Sequence, residues 1–133
     1  MPTNGDIVRR LFAFIDAGQP DRRAEVMTMD AVQRWPQSGE QMRGLHRILE
    51  ATRRRSSIPR ARVARVMEAG DFAVAEWSAD YGDGKVWRNV SVFRFADDLI
   101  SEETDYFGDP FPALAWRADL VEIEELAGPG DPA

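Results

Sequence analysis

The sequence has no cysteine and a single histidine, His46. The first absence excludes disulfides, thiolate metal ligands and a cysteine nucleophile. With one histidine and no thiol, a zinc site would need mostly carboxylates, so no metal and no cofactor are expected. No apolar run approaches the roughly 18 residues of a membrane span, and no basic-then-apolar leader precedes the first helical pattern. The expectation is a soluble, cytoplasmic protein without a membrane partner. Gly82-Asp83-Gly84 is followed by no helical pattern, so it is a turn and not a phosphate loop. The Gly-x-Ser-x-Gly elbow of serine hydrolases is missing as well.

What is present suits a folded domain. The 133 residues are 44% hydrophobic and 30% charged, a globular composition at a length that buries a core without staples. The net charge of −6 is unevenly spread. Residues 1–65 hold 13 arginines against 7 acids, a balance of +6; residues 66–133 hold 4 basic residues against 16 acids, a balance of −12. Either a basic nucleic-acid-binding half is joined to an acidic half, or two layers of one domain attract each other.

The pattern along the chain favours one domain. Ile7, Val8, Leu11, Phe12 and Ile15 form a helical stripe, with Thr3 or Asn4 to cap it, Asp6 in its first turn and Gly18 at its end. Pro20 suits the first turn of a short second helix over 20–28. Met29 to Trp35 reads as a short strand, closed by Pro36-Gln37-Ser38-Gly39. A third helix follows Gly44, with Leu45, Ile48, Leu49 and Thr52 on one side. From Arg60 the period changes from 3.6 to 2, giving strands to about Gly70, over 72–81, over 86–95 and over 99–107, with turns at Gly82-Asp83-Gly84 and Asp97-Asp98. Pro110 and Pro112 stop the sheet. Residues 113–126 have the spacing of a terminal helix with Leu114, Leu120, Val121 and Ile123 inward, and 127–133 read as a disordered tail. Helices followed by an antiparallel meander predict an α+β fold, with three N-terminal helices packed on one sheet, as one domain over 1–126. On this reading the basic half is mostly helical and the acidic half mostly sheet.

Few residues carry obvious chemistry. His46 falls in the first turn of the third helix, where a partly exposed helix residue explains it better than a catalytic base. Arg53-Arg54-Arg55, with Arg60, Arg62 and Arg65 beyond, suggests an anionic partner or simply a solvated helix end. The pI near 4.8 speaks against nucleic acid. In the last strand Glu103, Asp105 and Phe107 share a face with Ser101, opposite Glu102, Thr104 and Tyr106. If helices cover that face, Asp105 beside Phe107 is a desolvated carboxylate suited to general acid or base work. Alternatively Glu103 and Asp105 pair with arginines from the helices. The pattern leaves both open. Four tryptophans, Trp35, Trp77, Trp87 and Trp116, serve either as pocket walls for a flat apolar ligand or as core.

Glu102-Glu103-Thr104-Asp105-Tyr106-Phe107, then Pro110-Phe111 and Trp116-Arg117-Ala118, resembles the end of SnoaL-like proteins of the nuclear transport factor 2-like superfamily. Phe14-Ile15-Asp16-Ala17-Gly18, Trp35 to Glu40 with Arg43-Gly44, and Ala75 to Gly84 support the resemblance, which covers about residues 7–122. It implies a cone, a curved antiparallel sheet wrapped round the three helices with a pocket between them, and a homodimer formed through the sheet's outer face. Superfamily members include ketosteroid isomerases, limonene epoxide hydrolases, polyketide cyclases, dehydratases and non-catalytic binding domains, so fold alone does not give function. The isomerase-type base position is held by Trp35, and the isomerase-type oxyanion acid falls near Ser91. The Asp-Tyr-Phe aspartate of the epoxide hydrolases matches Asp105, but their partner Arg and Asp fall near Trp77 and Ala79. The acid/base aspartate of the cyclases also matches Asp105.

The resulting expectation is a cofactor-free enzyme acting on a small apolar or cyclic substrate, by cyclisation, isomerisation, dehydration or hydrolysis. Asp105 would be general acid/base in a pocket lined by Trp35, Trp77, Asn89, Ser91, Phe93, Glu103 and Phe107, with Phe12 or Phe14 at its floor. The alternative is a non-catalytic small-molecule-binding or dimerisation module of the same fold.

Overall fold

The computed structural model describes residues 2–126; the tail expected over 127–133 lies outside them. The chain opens with α1 (Asn4–Asp16), started by a capping box in which the Thr3 hydroxyl accepts the Asp6 amide at 3.1 Å and the Asp6 carboxylate accepts the Thr3 amide at 2.9 Å. Its inner stripe is the predicted one with Phe14 added. Val8 and Leu11 are wholly buried, each such side chain contributing about 1.5–3 kcal/mol.

The second helix is a six-residue 3-10 helix, Pro20–Glu25, and not an α-helix to residue 28. It stops there because the next residues belong to the sheet. The Val26 carbonyl accepts the Ile100 amide at 2.8 Å and Met27 pairs with Ile100, which commits the backbone to an extended course. The strands are β1 (Met27–Trp35), β2 (Glu40–Arg43), β3 (Arg60–Ala69), β4 (Phe72–Asp80), β5 (Trp87–Ala96) and β6 (Leu99–Gly108), with α2 (Leu45–Arg54) between β2 and β3.

These strands form one curved, unclosed sheet in the order β2-β1-β6-β5-β4-β3. The expected purely antiparallel sheet is in fact mixed, because β1 joins β6 in parallel. The strand β2 was not foreseen: Glu40, Gln41, Met42 and Arg43 have little β propensity, and their order comes from pairing with residues 32–35 of β1. Two bulges also break the simple alternation. Ser101 is skipped between Arg94↔Glu102 and Phe95↔Ile100, which turns Ile100 inward where Ser101 was expected. A second register shift between Val63 and Arg65 lets both Val63 and Val66 pack on the core.

The terminal helix over 113–126 is not formed. Only a 3-10 turn, Ala115–Arg117, is present, and Leu120 and Ile123 are 79% and 77% exposed. Apolar spacing stabilises a helix only when its stripe meets a partner surface, and here none of it is buried. The division of charge also differs from expectation. Arg34, Arg43, Arg60, Arg62 and Arg65 of the basic half lie on strands, so the boundary in charge is not the boundary between helices and sheet. Ion pairs that do join the two layers include Arg23–Glu103 and Arg60–Asp16. Among the described residues no helix is long and apolar enough to cross a membrane.

The core lies between α1, α2 and the inner face of the sheet. It runs from Ile7, Leu11 and Phe12 through Ile48 to Trp77, Phe93 and Ile100.

Candidate functional site

Residues at neighbouring register positions build a polar cluster across three strands of the inner face, β1, β6 and β5, with Ala75 of β4 beside it. Asp105 on β6 pairs with Ser91 on β5, Ser91 pairs with Ala75 on β4, and on the other side Gln33 of β1 pairs with Glu103. Because strand side chains alternate, Glu103, Asp105 and Phe107 all point inward, as the sequence pattern predicts. Both acids are buried, Asp105 to 2% exposure.

The two carboxylates find different partners. Arg23, from the 3-10 helix, donates to Glu103 Oε1 at 2.8 Å in an ion pair buried on both sides. Burial works against the Arg23 cation, but Glu103 and then Asp105 more than offset it, and its pKa is raised. Asp105 has no bonded cation among the described residues. Its Oδ1 accepts the Ser91 hydroxyl at 2.6 Å, and its Oδ2 accepts Gln33 Nε2 at 2.8 Å. Gln33 also donates to Glu103 Oε2 at 3.1 Å, tying the pair together. Burial foremost, and Glu103 next, push the Asp105 carboxyl well above the usual carboxylate range; the bonds from Ser91 and Gln33 pull downward without cancelling the rise.

The Ser91 hydrogen can be placed by elimination. Ser91 accepts the Trp77 indole Nε1–H at 2.8 Å, so its own hydrogen points to Asp105 Oδ1. Both oxygens of Asp105 thus accept a hydrogen bond, Oδ1 from Ser91 and Oδ2 from Gln33.

This row faces a narrow cavity, with about 60 Å³ of free space inside, that opens to solvent at one end. Phe12 and Ile15 of α1, Ile48 and Thr52 of α2, and Trp35, Trp77 and Phe107 of the sheet form its walls, with Arg23, Gln33, Glu103 and Asp105 as inner polar groups. Phe12 and Trp77 meet tilted at 45° with 4.8 Å between centroids, and Trp77 meets Phe107 edge-on at 6.1 Å.

Of the residues predicted to line a pocket, Trp35, Trp77, Glu103, Asp105, Phe107 and Phe12 line this one. Ser91 sits one bond behind the wall, holding Asp105 and Trp77. Phe93 is wholly buried and meets Phe12 edge-on, so it backs the cavity without lining it. Asn89 is buried, with its Oδ1 accepting the Gly108 amide at 3.2 Å. Gly108 is fixed here because a Cβ would strike the Arg88 carbonyl oxygen. Phe14 is not at the cavity floor: two residues from Phe12 it points to another side of α1, under the guanidiniums of Arg10 and Arg22.

Two site residues escaped the sequence reading. Gln33 had a signal, since it lies two residues before Trp35 on one strand and must share its face. Arg23 had none, being one of several arginines in a short turn. Among the described residues no cluster of three or more His, Cys, Asp or Glu is placed to hold a metal.

A curved mixed sheet closed over by helices, with an acid pair and aromatics inside, is the architecture of nuclear transport factor 2-like proteins. The chain belongs to the SnoaL-like domain family, whose model matches residues 8–103. Similar solved structures include a nuclear transport factor 2-like protein of unknown function from Burkholderia xenovorans LB400, 27% identical over 90% of this chain and 94% of that one, with a TM-score of 0.80. A candidate ketosteroid isomerase from Kribbella flavida DSM 17836 is 20% identical over 92% and 90%, with a TM-score of 0.81. An epoxide hydrolase of the limonene epoxide hydrolase-like type from M. tuberculosis is 18% identical over 78% and 81%, with a TM-score of 0.68. No curated protein sequence gives a significant match.

Proposed function

We propose that this protein is a cofactor-free enzyme acting on a small apolar or cyclic substrate, with Asp105 as its general acid and base. The observation that carries the reading is a buried carboxyl, without a bonded cation, inside an aromatic cavity. Such a group is neutral at a pH where an ordinary aspartate is charged, and so has a proton to give. In the forward step the Asp105 carboxyl donates that proton to a substrate oxygen as a C–O bond breaks or a carbonyl enolises. The resulting carboxylate takes a proton back from water or from a substrate carbon. Ser91 and Gln33 keep the carboxyl fixed during both transfers, and Arg23 holds Glu103 beside it.

A second reading, a non-catalytic binding module, is favoured by Trp35, Trp77 and Ala79. These occupy positions where the isomerases and epoxide hydrolases of the superfamily are expected to place acidic or basic groups. One experiment separates the two. The wild type and Asp105→Asn are incubated with alicyclic epoxides, β,γ-unsaturated cyclic ketones and small cyclic alcohols, and product is followed by mass spectrometry. The enzyme reading expects turnover of at least one class, reduced about 10²–10⁴-fold in the variant. Undiminished turnover by Asp105→Asn overturns the role of Asp105, and binding without turnover by the wild type favours the module.

A further inference from the structure

The arginine run at the end of α2 finds a use that charge counting does not show. Arg53 lies 3.9 Å from both Asp21 and Glu50, and Arg54 bonds Glu50 at 3.2 Å. Arg55 behaves differently. It has no carboxylate partner among the described residues, and it is turned to the cavity, whose wall it shares with Tyr81, Thr52 and Ile58. Its contact is Tyr81 itself: Nη1 donates to the phenol oxygen at 3.3 Å, and the guanidinium carbon stands 5.8 Å from the ring centroid.

Since the phenol oxygen accepts from Arg55, the Tyr81 hydrogen is free to be given elsewhere. A guanidinium edge and a phenol O–H side by side match the two oxygens of one carboxylate. The acids that line the cavity cannot serve as that partner: Glu103 is held by Arg23, and Asp105 is held by Ser91 and Gln33. Arg55 is exposed, so this end is the mouth. Ala75 marks the Asp105 row on β4, Trp77 is the next inward position, and Tyr81 lies four residues beyond Trp77, roughly 13 Å at about 3.3 Å per residue.

We infer that Arg55 and Tyr81 form a carboxylate clamp at the cavity mouth, so that the ligand is an amphipathic monoacid. Its apolar ring lies against Trp77 and Phe12, and its carboxylate is left at the mouth. A single cation and a single hydroxyl suit a monoanion better than a phosphate dianion. The inference rests on the cavity being the ligand site, as proposed above, but does not depend on Asp105 performing chemistry.

The test is calorimetric binding of 2-naphthoate, 2-naphthylacetate and 4-(2-naphthyl)butanoate, each against its own primary amide. The wild type should bind at least one acid about tenfold more tightly than its amide, the worth of one charge-assisted contact. Arg55→Gln should remove that preference and Tyr81→Phe should reduce it, with thermal melts showing both variants folded. Asp105→Asn should keep the preference intact even if all turnover is lost, which separates this clamp from the acid/base role. A wild type that prefers none of the acids, or an Arg55→Gln variant that retains the preference, overturns the clamp.

Discussion

Glu102 and Asp105 stand three residues apart on β6, on opposite faces of the sheet, and their surroundings differ completely. On the outer face Glu102 is 28% exposed and meets two arginines, Arg34 at 2.6 Å and Arg94 at 3.4 Å. On the inner face Asp105 has a hydroxyl, an amide and an acidic neighbour, and no bonded arginine. The outer face thus places its cations where water already screens charge and each pair gains little. Among the described residues the inner face has one buried cation, Arg23, which pairs with Glu103 and leaves Asp105 desolvated. A sheet built only for stability would do the reverse. The contrast marks Asp105 as a place where the fold tolerates an uncompensated acid.

The strongest way to break this comparison is to remove the buried cation. Arg23→Met leaves Glu103 buried without its ion pair, and such losses cost about 3–5 kcal/mol. Urea denaturation measures it. The double variant Arg23→Met/Glu103→Leu should recover most of the loss, because an apolar pair of similar volume avoids desolvation of both charges. A single variant within about 1 kcal/mol of wild type would mean that the inner face is wetter than its burial implies.

A second experiment sharpens the contrast through pH. The folded Asp105 pKa is raised by burial and by Glu103, so the native state holds this proton at pH values where the unfolded chain has released it. The stability contribution is then complete below the unfolded value of about 3.9 and is lost as pH rises through the folded value. Arg23 is the cation that faces the pair, and it does not titrate in this range. Asp105→Asn should therefore flatten the fall in melting temperature between pH 4 and neutrality. Any hydrogen bond disturbed by the amide shifts the whole curve and not its slope. Parallel curves for the two proteins would show that Asp105 titrates normally.

The inner face was legible in the sequence because period-2 alternation forces Glu103, Asp105 and Phe107 to one side. The α1 stripe and the two hairpin turns were legible for the same local reasons. What failed was what depends on distant partners. The parallel β1–β6 pairing joins segments about 70 residues apart, and it alone brings Gln33 to Asp105. Arg23 reaches Glu103 only because the 3-10 helix ends at Val26. The apolar spacing of Leu114, Leu120 and Ile123 predicted a helix, but spacing cannot say whether a surface exists to receive it.

The smallest effect belongs to the outer face, and its smallness is what it tests. Glu102→Gln removes the carboxylate shared by Arg34 and Arg94. Each of these pairs is partly exposed, so water and salt already screen much of the attraction. The expected loss is at most about 1 kcal/mol in low salt, shrinking further in roughly 0.5 M sodium chloride. Denaturation at the two salt concentrations reads it directly. A loss that matched that of Arg23→Met, and persisted in salt, would mean that the outer face is covered by something that excludes water, for then Glu102 would behave as a buried acid like those opposite it.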